Sequence, residues 1–309
     1  MQVSRRVIEK ILKKQKKILG LQDTSNFVFE KLGQGENNIN YLLEVDNKRF
    51  VLRIALRREG TLQNEHKVLS KIRLPVTPES YLIDTSRQIL PSVYAIHEFK
   101  PGKHLKVYRK HHLRIHGISL AKLHDATHVK TSDYDIRAFF RKEVREWEAS
   151  NPEEYHEFSG FILGEIKKHE RYFRNIRQSL INTDIVRTNM LYHKGEFSYI
   201  DWEWAQVGDP ARDFAVFYYP HASLPPWQVR LRPEQLHVYV DGYQSIRKDR
   251  SLLKRVHIWH LVIAYMDANY FAWKLKDWHK DAESDLPKSH YIRCKDVLDK
   301  MIEEWMRDD

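Results

Sequence analysis

Three polar residues near the middle of the chain have the types and spacing of a metal and proton-transfer site. In the segment NTDIVRTNMLYHKGEFSYIDW, Asp184 precedes two short apolar runs joined by Lys194-Gly195, a dipeptide typical of a hairpin turn. Asn189 opens the first run and Asp201 closes the second, so antiparallel pairing would bring their backbones within roughly 5 Å. Amide and carboxylate oxygens are the ligands that Mg²⁺ prefers. The pattern therefore predicts metal ligands at Asn189 and Asp201, beside Asp184.

Each of these residues also has a simpler interpretation. Asp184 could cap a turn, Asn189 could start a strand and Asp201 could end one, since short polar side chains commonly do so. Together, however, they match the arrangement used in phosphoryl transfer, in which one Asp receives a hydroxyl proton while Asn and a second Asp hold metal on nucleotide phosphates. We therefore interpret Asp184 as the catalytic residue.

A second group of residues could contact a nucleotide. LGQGENNINYLLEV places Gly33 and Gly35 between two predicted strands, where glycines let backbone amides approach phosphates; a plain hairpin turn is the alternative. FVLRI then places Arg53 in an apolar strand, where a cation must be paired or exposed. Glu65, on the following predicted helix, is its natural partner, and such a pair can reach the α- and β-phosphates. An exposed edge-strand Arg is the alternative.

The composition is that of a globular protein. The 309 residues are 42% hydrophobic and 30% charged, and this length suffices for one large or two moderate domains. Cys294 is the single cysteine, so we expect no internal disulfide, no disulfide-linked partner, no multi-cysteine zinc site and a cytoplasmic location. The N-terminal apolar stripe is interrupted by Lys and Arg, unlike a signal peptide. The longest apolar stretch, His257 to Leu275, contains Asp267 and reads as a buried helix, not a membrane span.

The net charge of +10 raises the question of an anionic partner. The basic run KILKKQKKILG could form an amphipathic helix that contacts nucleic acid or an anionic membrane. A solvated helix face explains the run as well, and no nucleic-acid-binding motif accompanies it. We therefore do not expect such a contact to be the main role of the chain.

The predicted elements change character along the chain. After the N-terminal helix we expect three strands between Phe27 and Leu56, a helix over 61–72 and two more strands at YLID and SVYAIHEF. Lys100-Pro101-Gly102 is the best boundary. Beyond it we expect helices over 108–124, from Thr131-Ser132, and from Asn151-Pro152 to about Leu180, then the hairpin and further helices. This predicts an α+β protein with a nucleotide-binding lobe over 1–100 and a helical lobe over 101–309, which bears the catalytic hairpin and the acceptor site.

These motifs together resemble the aminoglycoside phosphotransferase and choline kinase superfamily, the small-molecule relatives of protein kinases. The resemblance covers LGQGENNINY, FVLRI, NEHKVL, YAIHEFKPGKHL and SLAKLHDATH, and it is strongest in NTDIVRTNML followed by YIDWEWAQVGDPARDFAVF. It implies a two-lobed protein-kinase-like fold that uses ATP and Mg²⁺.

The resemblance also assigns individual roles. It makes Asp184 the catalytic Asp and Asn189 and Asp201 metal ligands, and it has Asp213 brace the catalytic loop. It further implies hinge contacts from a short segment to adenine: Glu98, Phe99 and Lys100. Two positions depart from the usual pattern: Arg53 stands where protein kinases have Lys, and Asn182 stands where the family usually has His.

The sequence thus predicts transfer of the γ-phosphoryl group of ATP to a hydroxyl of a small molecule whose identity it does not specify. The alternative is an inactive, nucleotide-binding pseudokinase that serves as an interaction module, which Asn182 favours and the retained Asp184, Asn189 and Asp201 oppose. Histidine pairs with helical metal-site spacing lack any accompanying zinc motif: His112 and His116, His124 and His128. Aromatic residues of the C-terminal half could line an acceptor pocket or pack in the core.

Overall fold

The computed structural model describes residues 3–151, 153–219, 224–227, 229–276, 278 and 286–307. The chain divides into two compact units. The first comprises Met1–Lys103, Leu191–His193 and Ser198–Ala205, and the second comprises His104–Met190, Lys194–Phe197 and Gln206–Asp309. The first unit is rich in β-structure, whereas the second, larger unit is mainly helical.

The first unit contains an antiparallel sheet of the order β1-β2-β3-β5-β4 and two helices. In chain order its elements are α1 (Arg5–Gln15), β1 (Phe27–Gln34), β2 (Asn38–Val45), β3 (Lys48–Ala55), α2 (Glu59–Leu69), β4 (Ser80–Asp84) and β5 (Tyr94–Glu98). The strands and the helix expected here from the sequence are confirmed. Asp46 and Asn47 form the predicted turn between β2 and β3, with φ values of 53° and 58°, which Asp and Asn tolerate better than most residues.

The two faces of this sheet have different roles because successive side chains of a strand point to opposite sides. On one face, Leu52 and Ile54 of β3 pack in a buried cluster with the apolar stripe of α1, which has helical spacing. That stripe consists of Ile8, Ile11 and Leu12. The opposite face carries Arg53, which pairs with Ala95 of β5. Most of the apolar surface of α1 is therefore used inside the first unit, and Arg53 lies on the other side of the sheet.

The second unit combines helices with a small sheet and most of the predicted catalytic segment. Its helices are α3 (Lys110–Ala126), α4 (Ile136–Glu148), α5 (His156–His169), α6 (Ala211–Phe217), α7 (Pro233–Gln244), α8 (Leu252–Lys276) and α9 (Lys288–Arg307). The strands β6 (His128–Ser132), β7 (Ile176–Ile181) and β10 (Gln206–Gly208) form a sheet of the order β10-β7-β6.

The predicted hairpin is confirmed and contributes residues to both units. Its strands β8 (Met190–His193) and β9 (Glu196–Tyr199) form a two-stranded sheet. Lys194 and Gly195 connect them with φ values of 47° and 89°. Two successive residues with positive φ are the conformation of the turn that matches the right-handed twist of paired strands.

Two helices expected from the sequence are wrong in extent. The helix expected from Thr131-Ser132 begins only at Ile136, because these two residues belong to β6 and Asp135 caps α4. The prediction from Asn151-Pro152 to about Leu180 starts beside Pro152, which lies outside the described residues, and it merges two elements. Helix α5 ends at His169, and β7 follows a short 3₁₀ helix, Glu170–Phe173. In β7 the buried positions include Gln178 and Ser179, so the polar core residues conceal the strand in the sequence.

Helix α8 confirms the expectation of a buried helix over the longest apolar stretch. Most of its residues are buried, including Trp259, Val262, Tyr265 and Asn269. Among the described residues, no helix is both long enough and apolar enough to cross a membrane.

A buried ionic cluster joins α8 to the start of α6. Arg255 of α8 donates from Nε to Asp209 Oδ2 at 2.9 Å and from Nη2 to Asp209 Oδ1 at 3.0 Å, and neither side chain is exposed. Arg255 also pairs with Asp249 at 2.6 Å. Trp259 Nε1 donates to Asp209 Oδ2 at 2.9 Å. Asp209 is therefore held by donors from Arg255 and Trp259, which lie one turn apart on α8.

Candidate active site

In the first unit, Arg53 joins two acidic residues that are distant in sequence. Its Nη1 donates to Glu65 Oε1 at 2.7 Å, and its Nη2 donates to Asp201 Oδ1 at 3.0 Å. The backbone N–H of Trp202 donates to the same Glu65 oxygen at 3.0 Å. The predicted ion pair between Arg53 and Glu65 is confirmed, and the alternative of an exposed edge-strand Arg is wrong because β3 lies inside the sheet. The contact of these residues with ATP stays a prediction.

Arg53 lies among three acidic side chains. Arg53 faces the carboxylates of Glu65 and Asp201, and Glu203 lies close enough to affect its pKa. Burial works to lower the pKa of Arg53, but Asp201 and Glu65 hold it above its ordinary value, so the guanidinium stays charged. Burial raises the pKa of Glu65, and Arg53 opposes this rise. The pKa of Glu203 is raised as well, so protonation of these buried acids reduces the negative charge that surrounds Arg53 near neutral pH.

Several buried polar atoms on the Arg53 side of the sheet form no hydrogen bond. Within the described ranges, Arg53 Nε, Asn40 Oδ1 and both ring nitrogens of His97 have no hydrogen-bond partner. Asn40 is the direct neighbour of Arg53 across β2 and β3. Burial lowers the pKa of His97 well below its ordinary value, so this ring is neutral. His97 Nε2 lies 3.7 Å from Glu65 Oε2, beyond hydrogen-bond distance, and unsatisfied buried groups of this kind cost free energy.

The glycine-containing segment differs in detail from its prediction. Gly33 lies within β1 opposite Asn40, and only Gly35 lies in the turn before β2. A Cβ at Gly33 would meet nothing within 4 Å, and one at Gly35 would meet Asn38 O at 3.9 Å. Packing of the described residues therefore does not require glycine at either position, and contact of Gly33 and Gly35 with phosphates stays a prediction.

The predicted hinge follows β5 directly. Lys100 Nζ pairs with the Glu98 carboxylate at 3.0 Å, and the guanidinium of Arg49 lies 4.5 Å from the centre of the Phe99 ring. Gly102 follows with a φ of 148°, and an added Cβ would lie 3.0 Å from the Cβ of Leu191. The side chains of Glu98 and Lys100 are thus engaged with each other, so contacts with a base would fall to the main chain.

In the second unit, the structure brings Asp184 and Asn189 together. Asn189 Nδ2 donates to Asp184 Oδ2 at 2.7 Å and to the Asp184 carbonyl oxygen at 3.1 Å. The preceding Thr183 has a φ of 70°, and Asp201 in the first unit has a φ of 62°. Positive φ is costly for residues other than glycine and is found preferentially at functional sites. Asp201 is itself a predicted metal ligand, and Thr183 directly precedes the predicted catalytic residue Asp184.

The loop that carries Asp184 is braced by Asp213 of α6, as the family resemblance implies. Asp213 Oδ2 accepts from the backbone N–H of Asn182 at 2.9 Å, and Oδ1 accepts from that of Thr183 at 2.6 Å. His124 Nε2 lies 3.1 Å from Asp213 Oδ2. Burial lowers the pKa of His124 although Asp213 opposes the shift. A neutral His124 therefore donates its single N–H to Asp213 and fixes the brace.

Asn182, the residue that replaces the usual His, also has a structural role. Its Oδ1 accepts from the backbone N–H of Asp184 at 3.0 Å. An Asn side chain that binds the backbone two residues later is a common way to stabilise a tight turn. The departure from the family pattern therefore retains a contact that holds Asp184.

A second carboxyl group influences the surroundings of Asp184. Burial raises the pKa of Asp267, on α8, to about 8, and the negative charge of Asp184 adds to the rise. Arg212 acts in the opposite direction. At neutral pH Asp267 is therefore mostly protonated, and Asp184 does not face a second full negative charge from α8.

Sequence reasoning missed two residues that support the candidate site. Glu203, in the DWEW segment, binds the turn that contains Gly35, and His124 supports Asp213. For His124, the sequence offered only the helix end SLAKLHDATH, which contains this residue and belongs to the family resemblance. The other histidines of the candidate zinc pairs serve the fold: His116, for example, stacks on Tyr239 with ring centres 4.7 Å apart. No group of three or more metal-ligating His, Cys, Asp or Glu side chains occurs within the described ranges.

Comparisons with known proteins bear on the family and the fold of the chain. Residues 28–253 match the family described as "Phosphotransferase enzyme family". The search of curated proteins gave no match. A Plasmodium vivax ethanolamine kinase has 13% identity and a TM-score of 0.68, with 94% of this chain and 86% of that chain covered. A choline kinase from Streptococcus pneumoniae has 16% identity and a TM-score of 0.65, with 95% and 99% covered.

A thermostable mutant of an aminoglycoside phosphotransferase, solved with ADP and hygromycin B, has 16% identity and a TM-score of 0.62, with 96% of this chain and 98% of that chain covered. At such low identities these likenesses concern the fold. They confirm the predicted protein-kinase-like fold, with a small β-rich lobe and a large helical lobe.

Proposed function

The chain belongs to the phosphotransferase enzyme family, and from this membership we propose that it transfers the γ-phosphoryl group of ATP, with Mg²⁺, to a hydroxyl group of a small molecule. The observation that carries the proposal is the polar group of Arg53, Glu65 and Asp201 on one face of the β-rich unit. A relative in fold was solved with ADP and hygromycin B, which supports a nucleotide as one substrate and a hydroxylated small molecule as the other.

We assign the role of proton acceptor to Asp184. Its carboxylate would orient the acceptor hydroxyl and take its proton as the oxygen attacks, a role that depends on position more than on a shifted pKa. Asn189 holds one carboxylate oxygen, Asn182 holds the backbone N–H, and Asp213 holds the two preceding amides. These contacts would limit the motion of Asp184 and so keep it aligned for the transfer.

Arg53 would stabilise negative charge on the phosphates. Its guanidinium is buried and permanently charged, and Glu65 fixes one of its donors. A preorganised charge in a site with little water is worth more than the same charge in water. Asn189 and Asp201 are the residues that would hold Mg²⁺, which, when bound, neutralises part of the charge of the phosphates. Gly33 and Gly35 would lie along the phosphates, and Glu98, Phe99 and Lys100 would contact adenine.

The alternative, an inactive nucleotide-binding module, gains no support from Asn182, since this residue stabilises the loop that holds Asp184. The comparisons likewise give this alternative no support. A cytoplasmic location remains part of the proposal, because ATP and a reduced single cysteine are both expected there.

The proposal requires binding of ATP that depends on Mg²⁺. Calorimetric titration with ATP is expected to give clear binding in the presence of Mg²⁺ and at least about tenfold weaker binding in EDTA, because the metal neutralises repulsion between phosphates and carboxylates. Purified protein would next be assayed for ADP release against hydroxylated metabolites: aminoglycosides, choline, ethanolamine, homoserine, sugars and nucleosides. Equal affinity with and without the metal would contradict the metal assignment, and no release with any acceptor would favour the inactive module.

The ion pair of Arg53 offers a second test. Replacing Glu65 with Ala is expected to raise the KM for ATP by about tenfold or more, because Arg53 loses a charged hydrogen-bond partner that fixes its position. The matched control is Glu59→Ala in the first turn of the same helix, since Glu59 pairs with the exposed Arg87. Steady-state kinetics at varied ATP would measure both variants. An unchanged KM in Glu65→Ala would show that the pair serves the fold alone.

A further inference from the structure

Glu203 is a half-buried carboxylate that the proposed chemistry does not use. It follows Asp201 by one intervening residue, and each of its oxygens accepts from one of two consecutive asparagines. Asn37 Nδ2 donates to Oε1 at 2.9 Å, and Asn38 Nδ2 donates to Oε2 at 2.9 Å. Thr61, in the first turn of α2, donates from Oγ1 to Oε2 at 3.0 Å. Glu203 therefore gathers donors from two separate parts of the first unit.

The two asparagines lie at the turn that joins β1 to β2. The backbone N–H of Gly35 donates to the Asn38 carbonyl oxygen at 2.8 Å, and the N–H of Leu56 donates to the Asn37 carbonyl oxygen at 2.7 Å. The first contact closes the turn and the second ties it to the residue after β3, whereas Glu203 connects the turn to a segment far along the chain. The position of the turn relative to that segment thus depends on Glu203.

The same segment is fixed to α2. Asn64 Nδ2 donates to the carbonyl oxygens of Glu203 and Ala205, each at 3.1 Å, and the N–H of Trp202 donates to Glu65. Residues 201–205, α2 and the glycine-containing turn therefore form one hydrogen-bonded assembly. Arg53 belongs to it through Glu65 and Asp201.

This arrangement leaves one buried polar atom unsatisfied. Asn38 directs its amide nitrogen at Glu203, and its Oδ1 is buried without a hydrogen-bond partner in the described part of the chain. An unsatisfied buried acceptor costs free energy, so the contact between Asn38 and Glu203 is made at the expense of stability.

We infer that Glu203 is a positioning residue, which acts through Asn37 and Asn38 to hold the glycine-containing turn in place relative to Arg53 and Asp201. The inference rests on the proposed use of ATP, because the turn would then lie along the phosphates. Glu203 does not touch the nucleotide in this role. Its loss releases the turn and weakens binding of ATP, while the step of transfer at Asp184 proceeds once ATP is bound.

The test combines binding, kinetics and hydrogen exchange on the full chain. In Glu203→Ala, the Kd for Mg·ATP is expected to rise by about tenfold or more, which corresponds to the loss of a hydrogen bond to a charged group. By contrast, kcat at saturating ATP is expected to fall by less than about threefold. Amides of residues 33–38 are expected to exchange faster, and those of α9 are expected to exchange as in the wild type. Glu9→Ala, which removes an exposed ion pair with Lys13, is the control and leaves all three measurements unchanged.

A double-mutant cycle separates positioning from direct contact. If Glu203 acts through the turn, Asn37→Ala weakens binding of Mg·ATP by itself, and the double variant binds no more weakly than Glu203→Ala. Additive losses would show that Glu203 contacts the metal or nucleotide directly and would overturn the inference, as would an unchanged Kd in Glu203→Ala. If Glu203→Ala does not fold, Asn37→Ala alone decides, since wild-type affinity in that variant refutes the role of the turn.

The outcome is also distinct from failure of the proposed function. If the wild-type protein does not bind Mg·ATP, the proposed function fails and the role of Glu203 toward the nucleotide fails with it. If the wild type binds Mg·ATP but Glu203→Ala binds equally well, only the positioning role is refuted.

Discussion

Replacing Asp184 with Asn is expected to lower turnover by about 10²–10⁴-fold, the usual loss when a positioned general base is removed, and to leave the affinity for Mg·ATP nearly unchanged. Asn has the same size, and its Oδ1 can still accept from Asn189, which binds Asp184 Oδ2 at 2.7 Å. The backbone contact from Asn182 is unaffected by the substitution. The variant therefore keeps the loop and loses only the proton acceptor.

Two further variants make this measurement specific. Asp201→Asn removes charge from a proposed metal ligand and from the partner of Arg53, so affinity for Mg·ATP and turnover are expected to fall together. Asp296→Asn, at an exposed position of α9, makes the same chemical change and is expected to alter neither. The variants would be titrated with Mg·ATP and assayed with an identified acceptor. Turnover at the wild-type rate in Asp184→Asn would refute the assignment of the base.

The largest effect on stability is expected at Arg255. Replacing it with Met should lower the free energy of unfolding by about 3–5 kcal/mol, because it leaves the buried carboxylate of Asp209 without its cation. Asp209 is fully buried and receives two hydrogen bonds from Arg255. Asp209 would keep the hydrogen bonds from Trp259 Nε1 and from the backbone N–H of Ala211, neither of which carries a charge. Since Asp209 precedes α6, the loss should also loosen the support of Asp213.

Denaturant unfolding followed by circular dichroism would measure this change. The control is Arg307→Ala on α9, where the ion pair with Glu303 is largely exposed and is worth less than about 1 kcal/mol. The double variant Arg255→Met with Asp209→Leu should recover part of the loss, since an apolar pair leaves no buried charge. Equal stability of Arg255→Met and Arg307→Ala would mean that the buried cluster contributes little.

Local patterns in the sequence predicted the parts of the site that depend on neighbouring residues. The hairpin follows from Lys194-Gly195 between two apolar runs, and both residues have the positive φ that a tight hairpin turn requires. The ion pair of Arg53 and Glu65 follows from a cation in an apolar strand before a helix with an acid on it. In both cases the partners lie on elements that are adjacent in the sequence. Burial and turn geometry then leave few possible arrangements, so the contacts can be predicted.

Long-range polar contacts were not predictable in the same way. Strand β7 resembles the end of a helix in sequence because Gln178 and Ser179 occupy buried positions. Their hydrogen-bond partners are distant in the sequence. Gln178 Nε2 donates to Ser132 Oγ at 2.8 Å, and Ser179 Oγ donates to the His124 carbonyl oxygen at 2.6 Å. Glu203 likewise accepts hydrogen bonds from Asn37 and Asn38, which lie far from it in the sequence. Hydrophobic periodicity in the sequence does not identify a residue whose hydrogen-bond partners come from distant segments of the chain.

The packing of α1 bears on how the protein can be shortened. Ile8, Ile11 and Leu12 cover the sheet face that carries Leu52 and Ile54. A chain trimmed to begin at β1 would expose this apolar face to solvent, and exposed apolar patches promote aggregation. Residues 5–15 thus behave as a covalently attached cover for the sheet, and a fusion tag or cleavage site belongs ahead of them and not between α1 and β1.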